Sequence, residues 1–126
     1  MVNNAYDQYM KSSIMTAPPE ELVLMLYNGA MKFLKRAIIH LEDNNLEGCH
    51  KAVVRAQDIV IEFMSKVDTD YEVGKNLYDL YEYMYRRLVE ANVKKDKEII
   101  EEVYGMFSEL KETWEEAIKI VRKNKK

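Results

Sequence analysis

Between residues 77 and 92 the chain reads LYDLYEYMYRRLVEAN, and two apolar lines run through it. Leu77, Leu80, Met84, Leu88 and Ala91 recur at steps of three and four, the spacing of one face of an α-helix about 24 Å long. That face needs a core. About a quarter turn round, Tyr78, Tyr81 and Tyr85 make a second ledge, with Val89 further round. A helix that only packed inward would not need this ledge. Tyrosine joins a wide apolar ring to a polar tip, which suits a surface that is covered at some times and wet at others. Arg86 has Glu82 and Glu90 at i,i+4 spacing as local partners. Arg87 falls near the edge of the core stripe and is expected to lay its stem on the core with its head in water.

Three further stretches show the same periodicity. In TAPPEEL, Pro19 suits a first helical position, Pro18 is held out of the helical region as an N-cap must be, and Glu20 and Glu21 favour the positive end of the dipole. The helix this starts runs to about Leu41. Leu22, Val23, Leu26, Ala30, Phe33, Leu34, Ala37 and Leu41 lie on its broad face. Leu24, Met31 and Ile38 follow a separate line at its border, either a core edge or a partner groove. Asn44 and Glu47 have capping-box spacing ahead of a second helix over about 46–67. Its seam is Leu46, Cys49, Val53, Ala56, Val60, Phe63 and Val67. Val54 and Ile61, seven apart with Gln57 between them, lie on its far side. Residues 68–74 connect to the tyrosine-bearing helix. Asp96 is a candidate cap for a last helix over about 97–122, with the seam Ile99, Val103, Phe107, Leu110, Trp114, Ala117 and Val121, flanked by Ile100, Tyr104 and Ile118. Gly105 inside it costs about 1 kcal/mol against Ala, which either a close backbone approach or neutral drift would explain.

Four helices, short connections and no strand pattern predict an all-α, antiparallel up-down-up-down four-helix bundle in one domain, 1–126. Residues 1–17 form an arm and 18–126 the bundle. The arm carries Tyr6, Tyr9, Met10, Ile14 and Met15, too many large apolar groups for a purely solvated tail, and is expected to dock.

The composition narrows the function classes. A formal charge of −3 argues against nucleic acid as the main partner. No apolar run approaches the ~20 residues of a membrane span, so no membrane insertion is expected. The leading residues lack the pattern of a signal peptide, and Cys49 has no second cysteine to pair with, which points to a reducing cytoplasm. Di-metal bundles need two Glu-x-x-His motifs. Glu47 to His50 is a single match, and His40 has no Glu three residues before it. Cys49 and His50 are about 100° apart on a helix and cannot share a nucleophilic site. No phosphate-cradling glycine loop is present. The chain is read as a non-enzyme with no metal and no cofactor. What remains is surplus apolar surface, which bundles use to bind amphipathic helices in grooves.

The residues also carry a resemblance. Asn4, Ala5, Tyr6 and Tyr9, then ELVLMLYNG over 21–29, AQDIV over 56–60, LYEYMYRRLVEAN over 80–92 and a late Trp114 together resemble the flagellin-specific export chaperone family, FliS. The third-helix motif is the most specific of these. The resemblance implies a bacterial cytoplasmic bundle that binds the C-terminal segment of flagellin in extended and helical pieces. That binding prevents premature polymerisation and keeps flagellin competent for flagellar type III export, with the export gate and other flagellar regulators as further partners. It also implies that an N-terminal segment, here residues 4–15, lies over part of the binding surface and moves when flagellin arrives. Pro18-Pro19 departs from the Ser-Pro expected before the first helix, losing a side-chain cap but keeping the start point. Spacing and resemblance together nominate Leu24, Met31, Ile38, Val54, Ile61, Tyr78, Tyr85 and Val89 as partner contacts. Tyr6, Tyr9, Met10, Ile14 and Met15 join them from the arm.

Overall fold

In a computed structural model, which describes residues 19–124, four helices follow one another: α1 (Pro19–Glu42), α2 (Leu46–Lys66), α3 (Glu72–Lys94) and α4 (Lys97–Asn124). Helix α1 packs on α2 and α4, and α3 packs on α2 and α4, so the helices form a ring in chain order. Short links and contacts such as Glu42 with Lys97 at one end and Glu20 with Trp114 at the other make neighbours antiparallel. The fold is the up-down-up-down bundle expected from the apolar periodicities. The arm, 1–17, and the Pro18 cap lie outside the described residues.

The core is the set of inner faces. Ala30, Leu34 and Ala37 of α1, Cys49, Val53, Ala56 and Val60 of α2, Met84, Leu88 and Ala91 of α3, and Ile100, Val103 and Phe107 of α4 are fully buried. Nearer the Pro19 end, one aromatic ring from each helix closes this core. Tyr27 lies 4.8 Å from Phe63 and 6.1 Å from Phe107, and Phe63 stacks on Tyr81 at 5.2 Å. Tyr27 and Tyr81 hydroxyls meet at 2.6 Å across the bundle. Each satisfies the other's polar tip, so neither leaves an unpaired group in the core. Burial pushes both phenols up from their ordinary range.

Several local expectations are corrected. Tyr81 is 2% exposed and belongs to the core, because the Tyr27 hydroxyl gives its tip an internal partner. Ile100 is core and not flank, whereas Leu46, Ala117 and Val121 are exposed, since the ends of their seams run past the neighbouring helices. The cap of α2 is Asn45, whose side chain accepts from Gly48 N–H at 2.9 Å, while Asn44 takes a left-handed turn at φ 58°. Asp96 does cap α4, its carboxylate accepting from Glu98 N–H at 2.9 Å. Helix α3 begins at Glu72, well before Leu77. Gly74 therefore serves its first turn and not the loop: a Cβ there would lie 1.8 Å from the Asp68 carbonyl. Around Gly105 the space is open, so no close backbone approach accounts for it. Arg87 keeps its head partly in water, 29% exposed, and also finds partners within the chain. Its guanidinium pairs with Glu90 and with Glu102 of α4.

Candidate binding site

Several exposed apolar groups of α2 and α3 lie along the edges that these two helices turn to each other. His50 of α2 and Asn92 of α3 are 2.8 Å apart, which fixes the edges that these helices turn to each other. Val54, Gln57 and Ile61 lie four, seven and eleven residues after His50, so they continue its edge along α2. Val89, Tyr85 and Tyr78 lie three, seven and fourteen residues before Asn92 and continue the facing edge of α3. Because the helices are antiparallel, Val54 falls near Val89 and Ile61 falls toward Tyr78. Ile61 is 47% exposed, Val89 40% and Tyr78 36%; Val54 and Tyr85 are half-buried. Beyond His50 and Asn92 the line continues with the exposed Leu46 and Val93. From Leu46 to Ile61 this trough is about 22 Å long at 1.5 Å per residue.

The third predicted line lies elsewhere. Lys35 stands four residues after Met31 and three before Ile38, and its ammonium sits 5.7 Å from the centre of the Tyr104 ring on α4. That edge of α1 therefore faces α4, on the opposite side of the ring from the trough. Met31 and Ile38 are half-buried and pack against the core; Leu24, one further step along, is half-buried without touching it. The spacing that suggested one partner face from three lines thus distributes them over two faces. Tyr6, Tyr9, Met10, Ile14 and Met15 lie outside the described residues.

Two features went unread in the sequence. One is the extension of the trough by Leu46, Val93, His50 and Asn92; Leu46 had been assigned to the seam. The other is a hollow of about 280 Å³ lined by Glu20, Trp114, Ala117, Ile118, Val121 and Arg122. Trp114 Nε1–H donates to the Glu20 carbonyl at 2.8 Å, and Arg122 lies 3.5 Å from Glu21, so polar contacts hold α4 to the start of α1 while the apolar groups between them stay open. The signal was available in lengths: the α4 seam continues to Val121 along a helix of 28 residues, against 24 in α1 and 23 in α3, so only the first turn of α1 stands beside its last members.

Nothing in the described residues resembles a reaction centre. No three acidic, histidine or cysteine side chains group as metal ligands, and burial pushes the Cys49 thiol up, away from the nucleophilic form. No described helix is long and apolar enough to cross a membrane.

Comparison with known proteins was made on the whole chain. The family described as Flagellar protein FliS matches residues 2–121. The chain is similar to the flagellar secretion chaperone FliS of Bacillus subtilis, 36% identical over 124 residues, covering 98% of this chain and 93% of that protein. It is similar to the flagellar secretion chaperone of Salmonella typhimurium, 38% identical over 117 residues and covering 89% of this chain and 86% of that one. The Escherichia coli chaperone of the same name is 35% identical over 119 residues, covering 90% and 87%.

Proposed function

Since the chain belongs to the FliS family of flagellar secretion chaperones and acts in flagellar export without being an enzyme, we propose that its cargo is the C-terminal segment of flagellin and that the α2–α3 trough holds a helix of it. The observation that carries this reading is the trough itself. It joins the exposed Leu46, Ile61, Tyr78, Val89 and Val93 with the half-buried Val54 and Tyr85 along two neighbouring helix edges outside the core. Covering such a strip gains about 25 cal/mol per Å² of apolar surface removed from water and breaks no existing contact. At about 22 Å it fits roughly four turns of helix. The half-buried Leu24 and the Trp114–Val121 hollow offer a second, extended piece of the same segment a place on the opposite face. Met31 and Ile38 border that face. Tyr6, Tyr9, Met10, Ile14 and Met15, outside the described residues, are proposed as further contacts to the cargo. Held this way, flagellin is kept from polymerising before export, in the cytoplasm, and is delivered to the export gate; other flagellar regulators would meet the same surfaces.

The test is titration calorimetry of a flagellin C-terminal peptide against the wild-type chain, Ile61→Glu and Val89→Glu. Both residues are exposed, so melting temperatures stay close to wild type. Each charge is expected to weaken binding by at least about tenfold, or 1.4 kcal/mol. Undiminished affinity in both variants would remove the trough from the binding site.

A further inference from the structure

The trough is apolar along most of its length, but a polar pair crosses it near one end. Asn92 Nδ2 lies 2.8 Å from His50 Nδ1. The amide's orientation is fixed independently: Lys95 Nζ is 2.6 Å from Asn92 Oδ1 and 2.6 Å from the Asn92 carbonyl oxygen. An ammonium only donates, so it selects the amide oxygen and turns the NH₂ toward the imidazole. His50 Nδ1 is therefore an acceptor without a proton, and the neutral ring carries its proton on Nε2. His50 is exposed, and no described residue accepts from that Nε2–H.

Lys95 adds a second sign that this pair is built and not incidental. It ends α3 in the left-handed conformation, φ 53°, where glycine is the usual residue. The strain of a side chain there is offset by an ammonium that reaches back to two oxygens of Asn92. Thus three residues cooperate to hold one outward-facing donor on an edge that also carries Leu46, Val54, the half-buried Gln57 and Ile61.

We propose that His50, Asn92 and Lys95 set the alignment of the helix bound in the trough: the guest places a side-chain oxygen, carboxylate or amide, opposite His50 Nε2–H and apolar groups elsewhere. This rests on the trough holding a flagellin helix as described above. An apolar strip alone accepts a guest at several offsets one turn apart. A single donor that must be matched disfavours every offset that covers it with hydrocarbon, as one polar position does in a coiled-coil seam. The nearby Lys95 charge favours a carboxylate over an amide.

The experiment uses the full chain and a flagellin C-terminal peptide in which each Asp, Glu, Asn and Gln is changed in turn to Ala. Each peptide is titrated into wild type, His50→Leu and His50→Gln. One peptide position is expected to lower affinity about tenfold toward wild type and toward His50→Gln, which keeps an N–H donor, yet to make no difference toward His50→Leu. If every peptide affects the three chains equally while Ile61→Glu still weakens binding, the alignment role is wrong and the trough stands. If Ile61→Glu also binds normally, both fall.

Discussion

Helix α3 turns Tyr83, Arg87 and Glu90 toward α4, and Tyr78, Tyr85, Val89 and Asn92 toward α2. On the α4 side each polar head meets a partner within the chain. Tyr83 and Arg87 both reach Glu102, at 2.7 and 2.9 Å, and Glu90 receives Lys94 and Arg87. On the α2 side Tyr78 and Val89 are exposed, Tyr85 packs partly on the core, and Asn92 meets His50. The difference teaches where a guest can sit. Covering the α4 side would take paired charges out of water with nothing better to offer them. Covering the α2 side removes mainly hydrocarbon and ring faces from water, with Gln57, His50 and Asn92 as the polar groups along it and no ion pair among them. One helix thus closes one of its flanks by ion pairing and leaves the other for a partner.

The sharpest way to break this comparison is to attack the spine between the two flanks. Leu88 is fully buried, so Leu88→Ala should cost about 2–5 kcal/mol in denaturant unfolding and disturb both sides equally. An unchanged midpoint would mean that α3 is turned differently from the orientation described. The flanks themselves are compared by truncating one tyrosine on each. Tyr85→Ala should weaken flagellin peptide binding by about 1–3 kcal/mol. It should also lower stability somewhat, because the ring packs partly on the core. Tyr83→Ala should leave peptide affinity where it was. Equal losses of affinity from both would erase the distinction between the flanks.

How much of this was legible in the sequence differs between the core and the surface. The ring of four helices follows from seams such as Val53-Ala56-Val60 and Met84-Leu88-Ala91, because in mid-helix the spacing of a stripe decides its burial, although seam ends such as Leu46 and Val121 stay exposed. Tyr81 was misplaced because whether a tyrosine is ledge or core depends on a partner for its hydroxyl, and that partner, Tyr27, is 54 residues away. Of the border lines, Met31, Ile38 and Tyr85 pack against the core, whereas Ile61 and Val89 are exposed. Their division between two faces was not visible, since it depends on which neighbour each edge meets. Two glycines differ in what surrounds them, which spacing does not reveal. Gly74 is required by the Asp68 carbonyl, whereas at Gly105 nothing lies within 4 Å of an added Cβ. Gly105→Ala should therefore raise stability, by about 1 kcal/mol at most, through helix propensity alone. A destabilised Gly105→Ala chain in thermal melts would mean that the surface of α4 at that point is covered.

The smallest effect concerns the polar flank and how it responds to acid. The Tyr83 hydroxyl, and after it the Arg87 guanidinium, hold the Glu102 carboxyl below its ordinary value; Lys94 and Arg87 do the same for Glu90. A carboxylate depressed in the folded state binds fewer protons there than in the unfolded chain. Its contribution to stability is therefore complete above the ordinary carboxylate range, about pH 4.3, and disappears as the pH falls through the lower folded value. The Glu102 and Arg87 side chains remain 36% and 29% exposed, so water screens the pair and the effect is modest. Glu102→Gln removes that titration while keeping a side chain that can still meet Tyr83. Between about pH 6 and pH 3.5 the denaturation midpoint of the Gln variant should fall less steeply than that of wild type. Peptide affinity at neutral pH should be the same for both, because the α4 side of α3 takes no part in the trough. Parallel acid profiles would mean that the α3–α4 carboxylates are as solvated in the folded chain as in the unfolded one. The closed flank would then owe its closure to packing and not to charge.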